Sequence, residues 1–146
     1  IGALGESGDP YLNESLIDRL GVATSFVDAA VARAAHQLES AVERFRRGRR
    51  PTDVAGRVVV VIDDGIATGA TLLATIRLIR NRRPERLLCA VPVAARDSGQ
   101  RVEAEVDTFI CPALPRFFRA VGEWYERFDQ TTDQEVIAVL DSLWTD

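Results

Sequence analysis

The spacing of hydrophobic residues changes along this chain from a helical period to short buried runs. From Thr24 to Phe45, apolar side chains recur three and four positions apart, which predicts one long helix with a single buried face. Thr24 or Ser25 can cap the start of this helix, and Asn13 can cap a shorter helix over residues 14–20. Two short apolar stretches within residues 1–12 predict a hairpin or a loose pair of strands.

The centre of the chain alternates between strand and helix patterns. A β-branched run at residues 57–63, a helical pattern at 69–80 and a second buried run at 86–93 predict one βαβ unit. The alternation continues with a short helix over 98–102, a strand over 106–110 and a capped helix over 133–143. We therefore expect a single α/β domain over residues 1–146, with a mainly parallel sheet covered by helices on both faces. Ligands of such sheets bind at the carboxyl ends of the strands.

Composition narrows the classes of ligand. The longest aliphatic run, residues 58–62, is far too short to span a bilayer, and a net charge of −4 argues against broad nucleic-acid binding. We expect a cytoplasmic protein with a small-molecule ligand. All eighteen basic residues are arginine, so a bound phosphate must be held by arginine, hydroxyl or backbone N–H groups, and a P-loop lysine is excluded.

The cysteine and histidine content makes a transition-metal site improbable. Cys89 and Cys111 lie in apolar stretches without the spacing of a zinc or redox motif, which predicts buried free thiols. His36, the only histidine, has no partner histidine and no nearby cysteine. Any metal should therefore be a hard cation. The chain also lacks methionine and begins with Ile1, from which we expect it to be incomplete at its N-terminus.

The most informative segment is residues 58–72, VVVVIDDGIATGATL. A buried strand ends there in Asp63 and Asp64, whose charges would be costly to bury without partners. The two hydroxyls of a vicinal diol can donate hydrogen bonds to both carboxylates. The small residues of the following loop leave backbone N–H groups free to close on a phosphate, and Thr68 and Thr71 add hydroxyl donors. The N-terminus of the next helix contributes unpaired donors and a positive dipole end.

This segment resembles the signature of the type I phosphoribosyltransferases, which bind phosphoribosyl pyrophosphate (PRPP). In that family a hydrophobic strand leads into two acidic residues and then a short loop ending in T-G-x-T. The resemblance implies that Asp63 and Asp64 bind the ribose hydroxyls and stabilise positive charge at C1′. It also implies that the small and hydroxyl residues of the loop form the 5′-phosphate site: Gly65, Ala67, Thr68, Gly69, Ala70 and Thr71.

The family's chemistry is displacement of pyrophosphate from C1′ by a nucleophile, usually a base nitrogen, through an oxocarbenium-like transition state. The resemblance implies Mg²⁺ as cofactor, bridging pyrophosphate and ribose oxygens, with no protein ligand to the metal assigned. In some purine-specific members an aspartate faces the base at the position of Ala67. Because this chain has alanine there, the loop offers no candidate for a general base. Because dimers are common in the family, a homodimer is one expected assembly.

The stretch at residues 116–136 resembles the end of the domain in a subgroup of bacterial phosphoribosyltransferases. In that subgroup the region lies near the hood over the nucleophile, which makes Phe118, Arg119, Trp124 and Tyr125 candidates for substrate contact. The aromatic residues of this stretch could instead anchor the terminal helix, a role that we prefer.

Two departures leave the function open. No match to the family's pyrophosphate loop precedes residue 58, so a non-catalytic module that senses PRPP or serves a structural role is one alternative. A receiver-like phosphoacceptor domain, in which paired aspartates hold magnesium, is a second. The arginine-rich segment from Arg44 to Arg50 is either a mobile loop that closes over pyrophosphate or a solvated run of charge.

Overall fold

Five strands and five α-helices make up the protein in a computed structural model that describes residues 2–6, 8 and 10–143. The strands are β1 (Gly2–Leu4), β2 (Pro10–Leu12), β3 (Val58–Ile62), β4 (Arg86–Ala90) and β5 (Thr108–Ile110). The helices are α1 (Glu14–Leu20), α2 (Thr24–Arg46), α3 (Ala70–Asn81), α4 (Arg96–Glu103) and α5 (Asp133–Leu143), with a short 3₁₀ helix at Val121–Trp124. None of the helices within these ranges is long and apolar enough to cross a membrane.

The first part of the chain forms the predicted strand pair and two helices. Strands β1 and β2 pair antiparallel, and the side chain of Asn13 caps α1 by accepting a hydrogen bond from the Leu16 N–H at 3.1 Å. The prediction that Thr24 or Ser25 caps α2 is wrong, because both residues lie inside its first turn and Ala23 holds the cap position without a side-chain hydrogen bond. The buried face of α2 is also narrower than its apolar spacing predicted.

Strands β3, β4 and β5 form a parallel sheet in that order, which confirms the α/β class. Helix α3 connects β3 to β4 and completes the predicted βαβ unit. The core lies between this sheet and its helices, and its fully buried side chains include those of Ile76, Leu87, Cys89 and Val102. Because successive strands run in the same direction, all their carboxyl ends meet at one edge of the sheet.

The two faces of the sheet differ in cover. Helices α3 and α4 contribute Leu72, Ile76 and Val102 to the core on the face that carries Leu87 and Cys89. The opposite face is open, with the following exposed fractions: Val58 57%, Val60 50%, Ile62 76% and Ile110 51%. Within the described residues, the helical cover predicted for both faces is therefore found on one.

The arginine-rich end of α2 is engaged in ion pairs. Its guanidinium groups contact carboxylates of α5 and of residue 6, in the pairs Arg44–Asp133, Arg46–Glu6, Arg47–Asp141 and Arg49–Asp141. Exposed pairs of this kind each contribute at most about 1 kcal/mol. The contacts favour the interpretation of this segment as a surface charge run that joins α2 to α5.

The Asp107 carboxylate links elements at the edge of the sheet where the strands begin. The Leu87 N–H donates to Asp107 Oδ2 at 2.7 Å, and the Arg80 guanidinium donates to the same carboxylate at 3.1 Å. These hydrogen bonds, led by the one from Leu87, hold the pKa of Asp107 below its usual range. The end of α3 and the starts of β4 and β5 are thereby joined at the edge opposite to the acid pair.

Both cysteines are free, as predicted. Cys89 is buried and Cys111 is partly buried. Burial, with smaller contributions from the Asp63 charge and from Cys111, raises the pKa of the Cys89 thiol to about 11. The thiol is therefore protonated at neutral pH and is a poor nucleophile.

Candidate active site

The acid pair lies where β3 ends. Asp63 and Asp64 follow Ile62 directly, and the Asp64 N–H donates to Asp63 Oδ1 at 2.9 Å. Partial burial raises the pKa of Asp63, the Asp64 N–H lowers it and the neighbouring Asp64 charge raises it again, so the net direction is upward. A carboxylate in this state gains from a ligand that donates hydrogen bonds to it, as a diol does.

The loop after the acid pair is anchored in the core by one residue. Ile66 is 1% exposed, and its N–H donates to the Val93 carbonyl at 2.9 Å while its carbonyl accepts from Ala95 N–H at 2.8 Å. Ile66 thus extends the pairing of β3 beyond its end. The residues that follow it, Ala67 and Thr68, are exposed.

Gly69 opens the N-terminus of α3 to a ligand. Its φ is +74°, and a Cβ at this position would lie 3.3 Å from Ile66 Cγ2, so both the backbone conformation and the space favour glycine. Gly69 occupies the cap position of α3 without any side-chain cap. The N–H groups of the first turn have no acceptor within the helix, and the Ala70 N–H makes only a long contact of 3.5 Å with Thr68 Oγ1, which an anion can replace.

Helix α4 supports the loop from behind. Arg101 Nη2 donates to the Thr68 carbonyl at 3.1 Å and to Ser98 Oγ at 3.0 Å. Ser98 is only 5% exposed. Sequence reasoning missed both residues, because nothing local to α4 indicates that its polar side faces the loop.

Residues 121–125 lie against the backbone next to the acid pair. The Tyr125 hydroxyl donates to the Asp64 carbonyl at 2.7 Å. A Cβ at Gly65 would lie 2.8 Å from Val121 Cγ1, so glycine is required for this approach. The structure thus joins the Tyr125 hydroxyl to the backbone of the acid pair, and contact of Tyr125 with substrate stays a prediction.

These elements enclose a cavity of about 180 Å³. Its lining contains most of the residues predicted from the sequence, together with others that were not: Asp63, Gly65, Ile66, Ala67, Thr68, Gly69, Ala70, Thr71, Leu72 and Val121. Asp64 does not belong to this lining and is connected to the loop through its backbone. The predicted phosphate-loop residues are therefore together in space, at the carboxyl end of β3.

The other residues predicted to contact substrate differ in whether they line a cavity. Phe118 lines a second cavity, of about 490 Å³, which borders the loop at Ala67 and Thr68. Arg119 is exposed and lines neither cavity. Trp124 ends the 3₁₀ helix and is 45% exposed.

The acid pair fits Mg²⁺ only with the help of a ligand. Among the described residues, no cluster of three or more His, Cys, Asp or Glu side chains could hold a metal. The exposed carboxylates of Asp63 and Asp64 are hard oxygen donors, which Mg²⁺ commonly combines with substrate phosphate oxygens and water. These residues fit a magnesium ion that arrives with a phosphorylated substrate.

Comparison with known proteins identifies the family. Residues 10–138 match the family model described as "Phosphoribosyl transferase domain". The chain belongs to this family. The membership agrees with the acid pair, loop and helix described above, and it leaves the receiver-like alternative without support.

Individual relatives agree with the family model. Two Mycobacterium tuberculosis proteins, from strains CDC 1551 and H37Rv, are provisionally named as phosphoribosyl transferases; each is 38% identical over all 146 residues, which correspond to 33% of its length. A uracil phosphoribosyltransferase of Nocardioides sp. is 36% identical over 64 residues, 44% of this chain and 30% of that protein. The matched part of this chain thus corresponds to about a third of the length of each of these relatives.

A solved structure shows the same fold. The crystal structure of TT1426 from Thermus thermophilus matches 95% of this chain and 65% of that one, with a TM-score of 0.76 and 35% sequence identity. The arrangement of the parallel sheet and its helices is therefore shared with a chain of greater length.

Proposed function

We propose that this domain binds PRPP with Mg²⁺ and transfers the phosphoribosyl group to a nucleobase-like acceptor with release of pyrophosphate. The observation that carries the proposal is the joining of Asp63 and Asp64 to the N-terminus of α3 through a short loop that ends in Gly69, in a chain of the phosphoribosyl transferase family. Cytoplasmic location belongs to the same proposal.

Each part of the site has a role in this reaction. The N–H groups at the start of α3 and the hydroxyls of Thr68 and Thr71 bind the 5′-phosphate. Asp63 and Asp64 accept hydrogen bonds from the ribose hydroxyls, and their charge stabilises the cationic ring as the bond from C1′ to pyrophosphate breaks. A nitrogen of the acceptor then forms the new bond to C1′, and pyrophosphate leaves with the electron pair.

The metal contributes to the leaving group. A bound Mg²⁺ would supply positive charge against the pyrophosphate leaving group. The carboxylates of Asp63 and Asp64 would hold it beside the ribose. The side chain of Ala67 cannot remove a proton from the acceptor, so the loop supplies orientation and charge rather than general-base catalysis.

Calorimetric titration of the 146-residue chain with PRPP in the presence of Mg²⁺ tests binding. Asp64→Asn removes one carboxylate charge and should weaken binding by about tenfold or more, since hydrogen bonds to charged groups contribute about 1.5–3 kcal/mol. Asp28→Asn, on the exposed side of α2, removes the same charge away from the loop and should have no effect.

Release of pyrophosphate in the presence of a base separates an enzyme from a PRPP-sensing module. Unchanged affinity in Asp64→Asn, in a chain that binds PRPP, would show that PRPP lies elsewhere. Binding without pyrophosphate release, tested across purines and pyrimidines, would support the non-catalytic alternative for this chain.

A further inference from the structure

The cavity of about 490 Å³ lies beside residues 63–71, which we call the phosphate loop after their predicted role. It is large enough for a ring-sized ligand. Ala67 and Thr68 line both this cavity and the smaller one, so a molecule bound here lies next to a sugar phosphate held by the loop. Small-molecule sites commonly have volumes of about 300–1,000 Å³. The cavity is therefore placed and sized for the second substrate.

The charge around this cavity is strongly positive for a protein with a net charge of −4. Arg96, Arg101 and Arg116 all line it, against a single carboxylate, Asp97. Across the described residues, none of these three arginines takes part in a salt bridge, although six other arginines do.

Two of the three arginines are held in place by neutral acceptors. Arg101 donates to the Thr68 carbonyl at 3.1 Å, and Arg96 donates to the Leu114 carbonyl at 3.5 Å. Hydrogen bonds to carbonyls orient a guanidinium group without cancelling its charge. These contacts orient Arg96 and Arg101, and the positive charge of these two groups is left for a ligand.

The remaining lining combines the polar side chains of Asn13, Thr68 and Ser98 with an apolar part. Leu16, Pro115 and Phe118 line the cavity, and Phe118 is only partly buried, so its ring can contact a ligand. An apolar wall with an aromatic ring favours a flat partner, and arginines pair well with planar anionic groups such as carboxylates.

We propose that this cavity selects an anionic ring compound as the acceptor of the phosphoribosyl group. The inference rests on the proposed function and specifies its acceptor class. A positive field also favours the ionised form of an acidic ring N–H. The proton of this N–H can pass to water before the C1′–N bond forms and the C1′–O bond breaks. Such an acceptor needs no general base from the protein, which agrees with the alanine at position 67.

Two pairs of probes test the inference in titrations that are monitored by NMR. Orotate is compared with uracil, and benzoate is compared with benzamide. In each pair the ring is the same or closely similar, and only the first member carries a carboxylate. We expect each carboxylate to bind about tenfold more tightly than its neutral partner, since a charge-assisted contact contributes about 1.5–3 kcal/mol. Equal affinity within both pairs would overturn the proposal.

Matched variants locate the effect. Arg116→Gln should reduce the preference for the carboxylate about tenfold, Arg116→Lys should retain part of it, and Arg33→Gln, an exposed arginine of α2, should leave it unchanged. A carboxylate preference that survives both Arg116→Gln and Arg96→Gln would place the anion elsewhere and overturn the assignment.

The same measurements distinguish failure of the two proposals. PRPP binding that depends on Asp64, combined with no carboxylate preference, would refute the acceptor class and leave the proposed function standing. An arginine-dependent carboxylate preference without PRPP binding would refute the proposed function, and the cavity would remain an anion site of another kind.

Discussion

Two segments of the chain meet at the candidate site, and they are held in different ways. The phosphate loop, residues 63–71, is fixed from within the βαβ unit by the buried Ile66 and by Gly69 in a left-handed conformation. The covering segment, residues 115–125, includes only one short 3₁₀ helix and reaches the acid pair through Val121 and Tyr125. The comparison indicates that the shape of the loop is set mainly by the βαβ unit, with Arg101 of α4 as an added support, whereas the contact of the covering segment with the acid pair joins residues far apart in sequence.

The largest effect should come from a change within the loop. Gly69→Val places a β-branched side chain at φ +74° and within about 3.3 Å of Ile66 Cγ2, so we expect loss of measurable PRPP binding by calorimetry. Gly48→Val is the matched control, because Gly48 has φ +81° but open space around its Cβ position. Both variants should lose stability, and only the first should lose the ligand; retained binding in Gly69→Val would contradict the loop assignment.

A change at the acid pair should separate function from stability. The folded-state pKa of Asp63 is raised, so wild-type stability increases as pH falls through that pKa, and the ionised carboxylate costs stability at neutral pH. Asp63→Asn should therefore raise the melting temperature while weakening PRPP binding about tenfold or more. A lower melting temperature than that of Asp28→Asn, measured side by side, would contradict the partial desolvation of this carboxylate.

The covering segment should contribute a smaller effect. Tyr125→Phe removes the hydroxyl that bonds to the Asp64 carbonyl, and we expect PRPP affinity to fall about three- to tenfold, the equivalent of one ordinary hydrogen bond. Tyr11→Phe, which removes the chain's other tyrosine hydroxyl on β2, is the control. If the two variants bind PRPP equally well, the covering segment does not position the acid pair.

The smallest effect on the site should come from the opposite edge of the sheet. The pKa of Asp107 is lowered, so its contribution to stability is present above the unfolded-state pKa and is lost as pH falls through the folded-state pKa. In Asp107→Asn, the decrease of melting temperature with acid should be shallower, and PRPP affinity at neutral pH should be unchanged. An altered affinity would show that the sheet edge and the site are coupled.

Local patterns predicted the elements well. The strand at β3, the helix at α3 and the final helix at α5 follow from periodicity, and the family resemblance of residues 58–72 placed the loop residues that the structure brings into one cavity. These features depend on neighbours in sequence.

Features that depend on contacts between distant residues were not predictable in the same way. The partner of Tyr125, the support of Thr68 by Arg101 and the arginine-lined cavity arise from residues that only the folded sheet brings together. The cap of α2 by Ala23 was missed for a different reason, since Thr24 and Ser25 are better capping residues than the one the backbone uses.

The hydrogen bond between Tyr125 and Asp64 joins residues that are 61 positions apart, which bears on the order of folding. The βαβ unit can form from residues close in sequence, whereas this contact requires a long stretch of chain to close first. The covering segment should accordingly be among the last parts to assemble and the first to detach on warming. Affinity for the sugar phosphate would then decline at temperatures where the sheet and helices are still intact.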